Sequence, residues 1–343
     1  MDKSLKISFR VDSSEQIGAG HLMRCLALAD ELQQQDHQVT FVCRELKGNL
    51  IDLIKHKVFI LPEDVNFQSE NLYLDWLGAT QEQDAKQTIK TFSDSIDLLI
   101  VDSYALDEVW HKQLRQFTKR IMAIDDLADR KFDCDLVLNQ NLGSQAEDYK
   151  KKVSDNCKLL LGCNYALLRP EFSKMRERAL KKRKSTKEIK NILISFGGSD
   201  IDNITYEILQ QINDSFNVVV ILGGASTHNI MIKDYVKDKN IAVIISADNM
   251  VELMLNTDLA IGAGGSTSWE RCCLGLPTLL YVLAENQKEI AKNLEKLGAA
   301  ILVKDLKNDL QMIVSDINLW QDMSSKAQNI CNGTGVKRVI QEL

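Results

Sequence analysis

Two hydrophobic patterns alternate along the whole chain. Short apolar runs bounded by polar residues or glycine predict β-strands, and stretches with apolar residues three or four positions apart predict the helices between them. In the first half, helices are predicted to begin near residues 21, 48, 81 and 107. The predicted strands cover residues 5–11, 39–43, 58–61, 98–102, 121–124, 136–139, 159–161, 191–196, 217–222, 242–245, 259–262, 278–282 and 301–303. This alternation is typical of parallel sheets with crossover helices, so we predict an α/β protein of two Rossmann-like, doubly wound domains that face each other across a cleft.

The length and one charged segment indicate where the two domains divide. A chain of 343 residues is too long for one ordinary hydrophobic core. Residues 173–190 contain nine Lys or Arg against two Glu, which is typical of a solvated helix or linker. We therefore predict a first domain at 1–170, a basic linker at 171–190 and a second domain at 191–343.

We predict a cytoplasmic protein without a membrane segment, and we expect it to be a monomer. The sequence contains no run of 18 apolar residues, and Arg10 and Asp12 interrupt its first apolar segment, so no signal peptide is predicted. A net charge of −6 argues against nucleic acid as the main partner. The eight cysteines include no Cys-x-x-Cys pair, and we interpret them as reduced residues of the core.

The most informative motif is Ile-Gly-Ala-Gly-His-Leu-Met-Arg-Cys-Leu at residues 17–26, between a predicted strand and a predicted helix. It places His21 in the first turn of the helix, after a turn formed by Gly18 and Gly20. A helix N-terminus attracts anions and keeps a nearby imidazole neutral, so His21 is a candidate general base. The alternative is a plain tight connection. An NAD-binding fingerprint fits poorly, because Met23 stands where its third glycine belongs.

A second glycine-rich motif occupies residues 261–270, again between a strand and a helix. The backbone N–H groups of residues 265–268 can bind a diphosphate, with hydroxyl donors from Ser266 and Thr267, and Glu270 can accept hydrogen bonds from a ribose. The alternative is that Ser266 only caps the helix and Glu270 is its capping partner. Two further strand ends carry candidates for the same edge of the sheet: Gly197 with Gly198, and Asn286.

Polar residues also follow two predicted strands of the first half, at 101–104 and 124–130. They are candidates for a substrate pocket. Asp125 and Asp126 are adjacent at a strand end and therefore point to opposite sides. We assign them a solvated or capping role and predict no metal site.

In this order, these motifs resemble the UDP-2,4-diacetamido-2,4,6-trideoxy-β-L-altropyranose hydrolase family of bacterial pseudaminic acid biosynthesis, which has the GT-B fold. The resemblance rests on residues 10–12, 17–26, 101–104, 124–126, 161–165, 168–170, 196–198 and 262–270. The Gly-x-Gly-His element alone is also similar to the N-acetylglucosaminyl transferase of peptidoglycan synthesis. Ser103 departs from the pattern, because the family resemblance leads us to expect a histidine there.

The resemblance implies a role for each matching residue. His21 is the catalytic base, and Tyr104 lies in the sugar pocket. The predicted substrate contacts are Gly18, Gly20, Arg24, Tyr104 and Asn286. The predicted UDP contacts are Gly197, Gly198, Gly264, Gly265, Ser266, Thr267 and Glu270.

The implied reaction is hydrolysis of a UDP-linked diacetamido-trideoxy sugar for a bacterial surface glycan. Water attacks the anomeric carbon with inversion, and UDP leaves as a stabilised anion, so no second acid, metal or cofactor is required. The small-molecule substrate is the only predicted partner. One alternative is a GT-B glycosyltransferase in which His21 deprotonates an acceptor hydroxyl. Another is a noncatalytic nucleotide-sugar binding protein, which would need no base.

Overall fold

A computed structural model describes residues 4–198, 200, 202–224 and 226–343. It divides the chain into two compact units, the first formed by Met1–Leu167 with Gly335–Leu343 and the second by Leu168–Thr334. Each unit contains one sheet in which all neighbouring strands are parallel.

All thirteen predicted strands are confirmed, with ends that differ by at most three residues. They are β1 (Lys6–Val11), β2 (Gln38–Arg44), β3 (Lys57–Leu61), β4 (Ile96–Asp102), β5 (Thr118–Ile124), β6 (Leu136–Asn139), β7 (Lys158–Leu161), β8 (Asn191–Ser195), β9 (Asn217–Leu222), β10 (Ile241–Ile245), β11 (Leu259–Ala263), β12 (Thr278–Tyr281) and β13 (Ile301–Leu302). The order is β3-β2-β1-β4-β5-β6-β7 in the first unit and β10-β9-β8-β11-β12-β13 in the second. In both sheets the first strand of the unit, β1 or β8, lies in the interior. The next two strands in sequence extend the sheet on one side and the later strands extend it on the other, as in a doubly wound sheet.

The described helices are α1 (Gly20–Gln34), α2 (Leu72–Leu77), α3 (Gln81–Lys90), α4 (Glu108–Leu114), α5 (Pro170–Ser185), α6 (Ile204–Leu209), α7 (Asn229–Val236), α8 (Met250–Asn256), α9 (Thr267–Cys273), α10 (Lys288–Lys296), α11 (Leu306–Ser315), α12 (Ile317–Gln328) and α13 (Gly335–Ile340). Short 3₁₀ turns cover Ile51–Leu53, Arg115–Phe117, Ala146–Tyr149, Cys163–Tyr165 and Glu285–Gln287. None of the helices in the described ranges is long and apolar enough to cross a lipid bilayer.

Hydrophobic cores lie on both faces of the first sheet. Phe9 and Ile100 are 0% exposed and pack with Leu22 of α1, whereas Leu99 and Trp110 belong to a separate cluster. Burial on two faces explains the continuous apolar runs of these parallel strands. The eight cysteines are free, and seven of them are buried, as predicted.

Two helix predictions in the first unit were wrong. The segment after Gly48 forms only the 3₁₀ turn Ile51–Leu53, because Gly48 adopts a left-handed φ of +70° and the backbone does not enter a helix there. Helix α2 was not predicted. It has six residues, too few for a periodic signal, and depends on its ends: Asn71 accepts two backbone hydrogen bonds, and Gly78 is left-handed at φ +67°.

The structure also corrects the predicted domain division. Most of the basic segment is helix α5, which belongs to the second unit and is not a linker. Arg176 donates to the carbonyl oxygens of Gln328 and Cys331, and Arg183 donates to that of Met254 at 2.7 Å. Both guanidinium groups therefore fasten α5 to its own unit.

Helix α13 follows the second unit in sequence but packs in the first. Val336 and Val339 lie in the core cluster of α1. At Gly335 the backbone approaches Ala166 so closely that a Cβ would lie 2.6 Å from the Ala166 backbone nitrogen and nearer still to its carbonyl oxygen.

We therefore expect Gly335→Ala to destabilise the protein by about 1–3 kcal/mol, the usual cost of overpacking a close contact. Denaturant unfolding measures this change. Gly265→Ala is the matched control, because a Cβ at Gly265 meets no atom within 4 Å. Equal stability of the two variants would contradict the close contact.

Candidate active site

The loop between β1 and α1 places His21 at the carboxyl end of the first sheet. The Gly18 N–H donates to the Ser14 carbonyl oxygen at 2.9 Å, and Gly18 has a φ of +76°, so the chain turns sharply before α1. Helix α1 begins at Gly20, which makes His21 its second residue. The predicted position of His21 in the first turn of a helix is confirmed.

His21 is held by a buried carboxylate. Its Nδ1 lies 2.9 Å from Oδ1 of Asp102, the last residue of β4, which is the neighbour of β1 in the sheet. A proton on Nδ1 in this hydrogen bond leaves Nε2 of a neutral imidazole free of a proton. The His–Asp arrangement can therefore orient a base and stabilise the imidazolium that forms when the base takes a proton.

Arg24 holds the other side of Asp102. Arg24 Nε donates to Asp102 Oδ2 at 2.6 Å, and Nη2 donates to Oδ1 at 2.7 Å, which is a bidentate pair. Burial alone would raise the pKa of Asp102, but Arg24 and His21 outweigh it and hold that pKa well below its usual range. Asp102 is therefore ionised beside His21 at neutral pH.

A second carboxylate extends this network to Tyr104. Arg24 Nη1 donates to Asp126 Oδ1 at 2.9 Å, and the Tyr104 hydroxyl donates to Asp126 Oδ2 at 3.0 Å. The Tyr104 ring meets the His21 ring edge to face, with centroids 4.6 Å apart. Asp126 therefore connects α1 to the tyrosine beside the base.

The prediction of a solvated or capping role for Asp125 and Asp126 was wrong in one respect, because Asp125 is buried and Asp126 is only partly exposed. Asp125 accepts a hydrogen bond from the Tyr149 hydroxyl at 2.7 Å and one from the Ala128 N–H at 2.7 Å. The Asp126 side chain is 10% exposed. The two carboxylates have different partners, as expected for adjacent residues at a strand end.

A cleft with about 300 Å³ of open space adjoins His21 within the first unit. Its lining residues are Asp12, Ile17, His21, Tyr73, Trp76, Leu77, Asp102, Ser103, Tyr104 and Ala105. The predicted residues His21 and Tyr104 are brought together here. Gly18 and Gly20 shape the turn below them, and Arg24 supports Asp102 and Asp126 from outside the lining. Their predicted substrate contacts stay predictions.

Several residues of this cleft were not predicted as site residues from the sequence. Tyr73 and Trp76 lie on the unpredicted helix α2. Asp12 directly follows β1. Its Oδ1 accepts a hydrogen bond from the Arg44 N–H at 2.7 Å, whereas its buried Oδ2 has no hydrogen-bond partner among the described residues. Two signals in the sequence pointed to Asp12: its position directly after a strand, as at Asp102, and its place in residues 10–12, which carry the family resemblance.

The predicted nucleotide-binding residues of the second unit lie beyond three neighbouring strands. Gly197 and Gly198 follow β8, residues 264–267 follow β11 and Asn286 follows β12, so all are at the carboxyl edge of the sheet. A Cβ at Gly265 or Gly198 would meet no atom within 4 Å, so the backbone there is open to a ligand. The Gly264 N–H donates to the Tyr281 carbonyl oxygen at 3.0 Å and fixes the start of the loop.

The side chains of Ser266 and Glu270 test the alternative that these residues only form a capping box for α9. Ser266 is the N-cap residue, but its side chain accepts no hydrogen bond from the helix. Glu270 instead has Arg169 as its partner, with Arg169 Nη2 3.7 Å from Glu270 Oε1. Burial raises the pKa of Glu270 to about 7, against the opposing effects of Arg169 and Arg271. The helix therefore does not use Ser266 and Glu270 as a capping box.

Arg271 supports the loop from behind. Its Nη2 donates to the Ala263 carbonyl oxygen at 2.6 Å and to Ser268 Oγ at 2.9 Å, joining the end of β11 to the first turn of α9. Gly262 leaves room for it, since a Cβ there would lie 2.5 Å from Arg271 Nη1. Over the residues that the structure describes, no group of three or more His, Cys, Asp or Glu could hold a metal ion.

Comparison with known proteins bears on both halves of the chain. Residues 173–343 match the glycosyltransferase family 28 C-terminal domain. The whole chain is similar in structure to MurG of Acinetobacter baumannii, with a TM-score of 0.64 and 15% identity over 98% of each chain. The predicted GT-B fold is confirmed.

The similarity to two curated relatives extends beyond residues 173–343. The chain is 29% identical over 88% of its length to the UDP-2,4-diacetamido-2,4,6-trideoxy-β-L-altropyranose hydrolase of Campylobacter jejuni, which it covers completely. It is 30% identical over 83% of its length to an uncharacterized protein of Methanocaldococcus jannaschii, of which it spans 57%. The resemblance seen in the motifs is confirmed, and the chain is a GT-B enzyme related to nucleotide-sugar enzymes.

Proposed function

We propose that this enzyme hydrolyses a UDP-linked 2,4-diacetamido-2,4,6-trideoxy sugar to the free sugar and UDP. The observation that carries the proposal is the imidazole of His21, which borders an open cleft while ionised Asp102 holds its Nδ1. The similarity to the hydrolase of C. jejuni supports the substrate class. The proposed setting is cytoplasmic synthesis of a bacterial surface glycan by a monomer.

The proposed reaction is a single displacement. His21 Nε2 takes a proton from water as the water oxygen bonds to C1, and the bond between C1 and the UDP oxygen breaks with its electron pair on UDP. Asp102 stabilises the resulting imidazolium. UDP leaves as an anion, so the backbone N–H groups of residues 265–268 and the hydroxyls of Ser266 and Thr267 take the place of a general acid.

The test is hydrolysis in ¹⁸O-labelled water without any acceptor. We expect UDP release, label only on the sugar, an inverted anomeric configuration and an unchanged rate in EDTA. Label on UDP would show attack at phosphorus, and loss of activity in EDTA restored by Mg²⁺ would overturn the metal-independent mechanism. UDP release only when a sugar acceptor is added would establish the glycosyltransferase alternative, for which the family 28 domain is the specific observation.

Glu270 leads to a prediction about nucleotide binding. A ribose hydroxyl donates more strongly to an ionised carboxylate, and burial raises the pKa of Glu270 to about 7. The carboxyl group is therefore mostly protonated at pH 6 and mostly ionised at pH 8. We expect uridine, which has no phosphate to titrate, to bind more tightly as the pH rises through 7.

Calorimetry with uridine at several pH values measures this. Glu270→Gln should remove the pH dependence and weaken binding at pH 8 by about tenfold, since a hydrogen bond to a charged group contributes about 1.5–3 kcal/mol. Unchanged uridine affinity in the variant would place the ribose elsewhere.

A further inference from the structure

We propose that Tyr73 and Trp76 of helix α2 form the apolar wall of the sugar site and select sugars that carry a methyl group in place of a hydroxymethyl group. The inference rests on the proposed function and adds a substrate determinant to it. Neither residue belongs to a motif that indicated function in the sequence.

The two aromatic rings continue a row that starts at the base. Tyr104 lies 4.6 Å from His21, Tyr73 lies 5.2 Å from Tyr104, and Trp76 lies 5.5 Å from Tyr73, measured between ring centroids. Successive planes are inclined by 83°, 58° and 73°, so the rings meet at edges and do not form one continuous stack. The row connects α2 with the candidate catalytic base along the cleft.

Both α2 rings are half-buried, so part of each ring surface is open to the cleft. Large aromatic side chains at this exposure, beside a candidate base, offer apolar surface to a ligand that enters the cleft. Leu77 and Ala105 extend the apolar surface of the lining. This side of the cleft can bury a methyl group, whereas a hydroxymethyl group there would lose hydrogen bonds to water.

Helix α2 holds its two rings in place although it has only six residues. The Asn71 side chain accepts from the Tyr73 and Leu74 N–H groups at 3.0 and 3.2 Å, and Gly78 ends the helix in a left-handed conformation. Leu77 is 2% exposed and packs in the core cluster of β4 and α4. The wall is therefore formed before any ligand binds, which lowers the entropy cost of binding.

Apart from Ile17, the remaining lining residues are polar. They include Asp12 and Asp102, and the Asp12 carboxylate has one oxygen without a hydrogen-bond partner among the described residues. A cleft with apolar rings and carboxylates matches a deoxy sugar that has a methyl group and also acetamido N–H or hydroxyl donors. It matches a purely apolar ligand poorly, since Asp12 Oδ2 would stay without a hydrogen-bond donor.

The experiment measures binding of an intact substrate, so it is done in a His21→Asn background. Calorimetry compares UDP with the UDP-linked 2,4-diacetamido-2,4,6-trideoxy sugar. We expect the sugar nucleotide to bind more tightly than UDP, and Trp76→Ala to weaken its binding by about tenfold with UDP affinity unchanged. Trp76→Phe should restore most of the loss. Leu72→Ala is the matched control, because Leu72 lies on the same helix, is 57% exposed and is absent from the lining.

Specificity is measured with His21 present. Hydrolysis of the 6-deoxy sugar nucleotide is compared with that of UDP-N-acetylglucosamine, which carries a hydroxymethyl group. Trp76→Ala should raise KM for the deoxy substrate while kcat stays within about twofold, because uniform binding is lost, and the preference for that substrate should shrink.

The inference is overturned if Trp76→Ala leaves the affinity for the sugar nucleotide unchanged, or lowers the affinity for UDP by the same factor. It is also overturned if the sugar nucleotide binds no more tightly than UDP. Failure of the proposed hydrolysis is a separate result. A protein that releases no UDP from the sugar nucleotide, but shows the expected Trp76-dependent binding, would retain the sugar wall and lose the hydrolase assignment.

Discussion

Replacing His21 with asparagine is expected to lower the turnover of UDP-sugar hydrolysis by about 10²–10⁴-fold, the usual contribution of a general base. Asparagine retains a side-chain donor for Asp102 but has no basic nitrogen to take a proton from water. The measurement is UDP release under saturating substrate, with the variant checked for native circular dichroism.

The affinity for UDP serves as the control for this variant. The proposed UDP contacts lie in the second unit, whereas His21 lies in the first, so calorimetry should give the same UDP dissociation constant as for the wild type. Full turnover in a folded His21→Leu protein would show that another group activates the water.

Asp102→Asn is expected to have the largest effect on stability. It leaves the buried guanidinium of Arg24 with one carboxylate partner in place of two, and breaking a buried ion pair costs about 3–5 kcal/mol. It also permits the wrong tautomer of His21, so turnover should fall by about 10²–10⁴-fold in the fraction that folds. Denaturant unfolding and UDP release measure the two effects separately.

The pH dependence distinguishes a charge effect from a packing effect. The pKa of Asp102 is lowered in the folded state, so its contribution to stability is present above the unfolded value of about 3.9 and is lost as pH falls towards the folded pKa. The stability difference from Asp102→Asn should therefore shrink as the pH falls below about 4.

A matched surface pair provides the comparison. Asp133 is 34% exposed and lies 3.3 Å from Arg115 Nε, so Asp133→Asn should cost less than about 1 kcal/mol, as for other exposed pairs. If both asparagine variants lose the same free energy, the ion pairs around Asp102 do not contribute as proposed.

The sequence was sufficient for the sheets because buried parallel strands are continuous apolar runs. Residues 136–139 and 217–222 were predicted with the observed ends. Short helices that depend on capping residues at their termini were not predictable from apolar runs. Helix α2 depends on Asn71 and Gly78, and its six residues span less than two turns, so periodicity carries no information there.

The candidate site was predicted only where its residues lie in one motif. His21 was identified from its own loop and helix. Its partner Asp102 is 81 positions away, and only the strand order β1-β4 brings the two together. The same reason explains the missed role of Asp126, which is 102 positions from Arg24. Tyr73 and Trp76 had no signal of their own, since aromatic residues occur in any core.

The return of α13 to the first unit has a consequence for the order of folding during synthesis. The cluster around α1 includes Val336 and Val339, so it is incomplete until these residues have left the ribosome. The second unit, Leu168–Thr334, is already fully synthesised at that time. We therefore expect a released chain truncated after Thr334 to protect the second unit from protease while α1 remains accessible to cleavage, although α1 is among the first elements made.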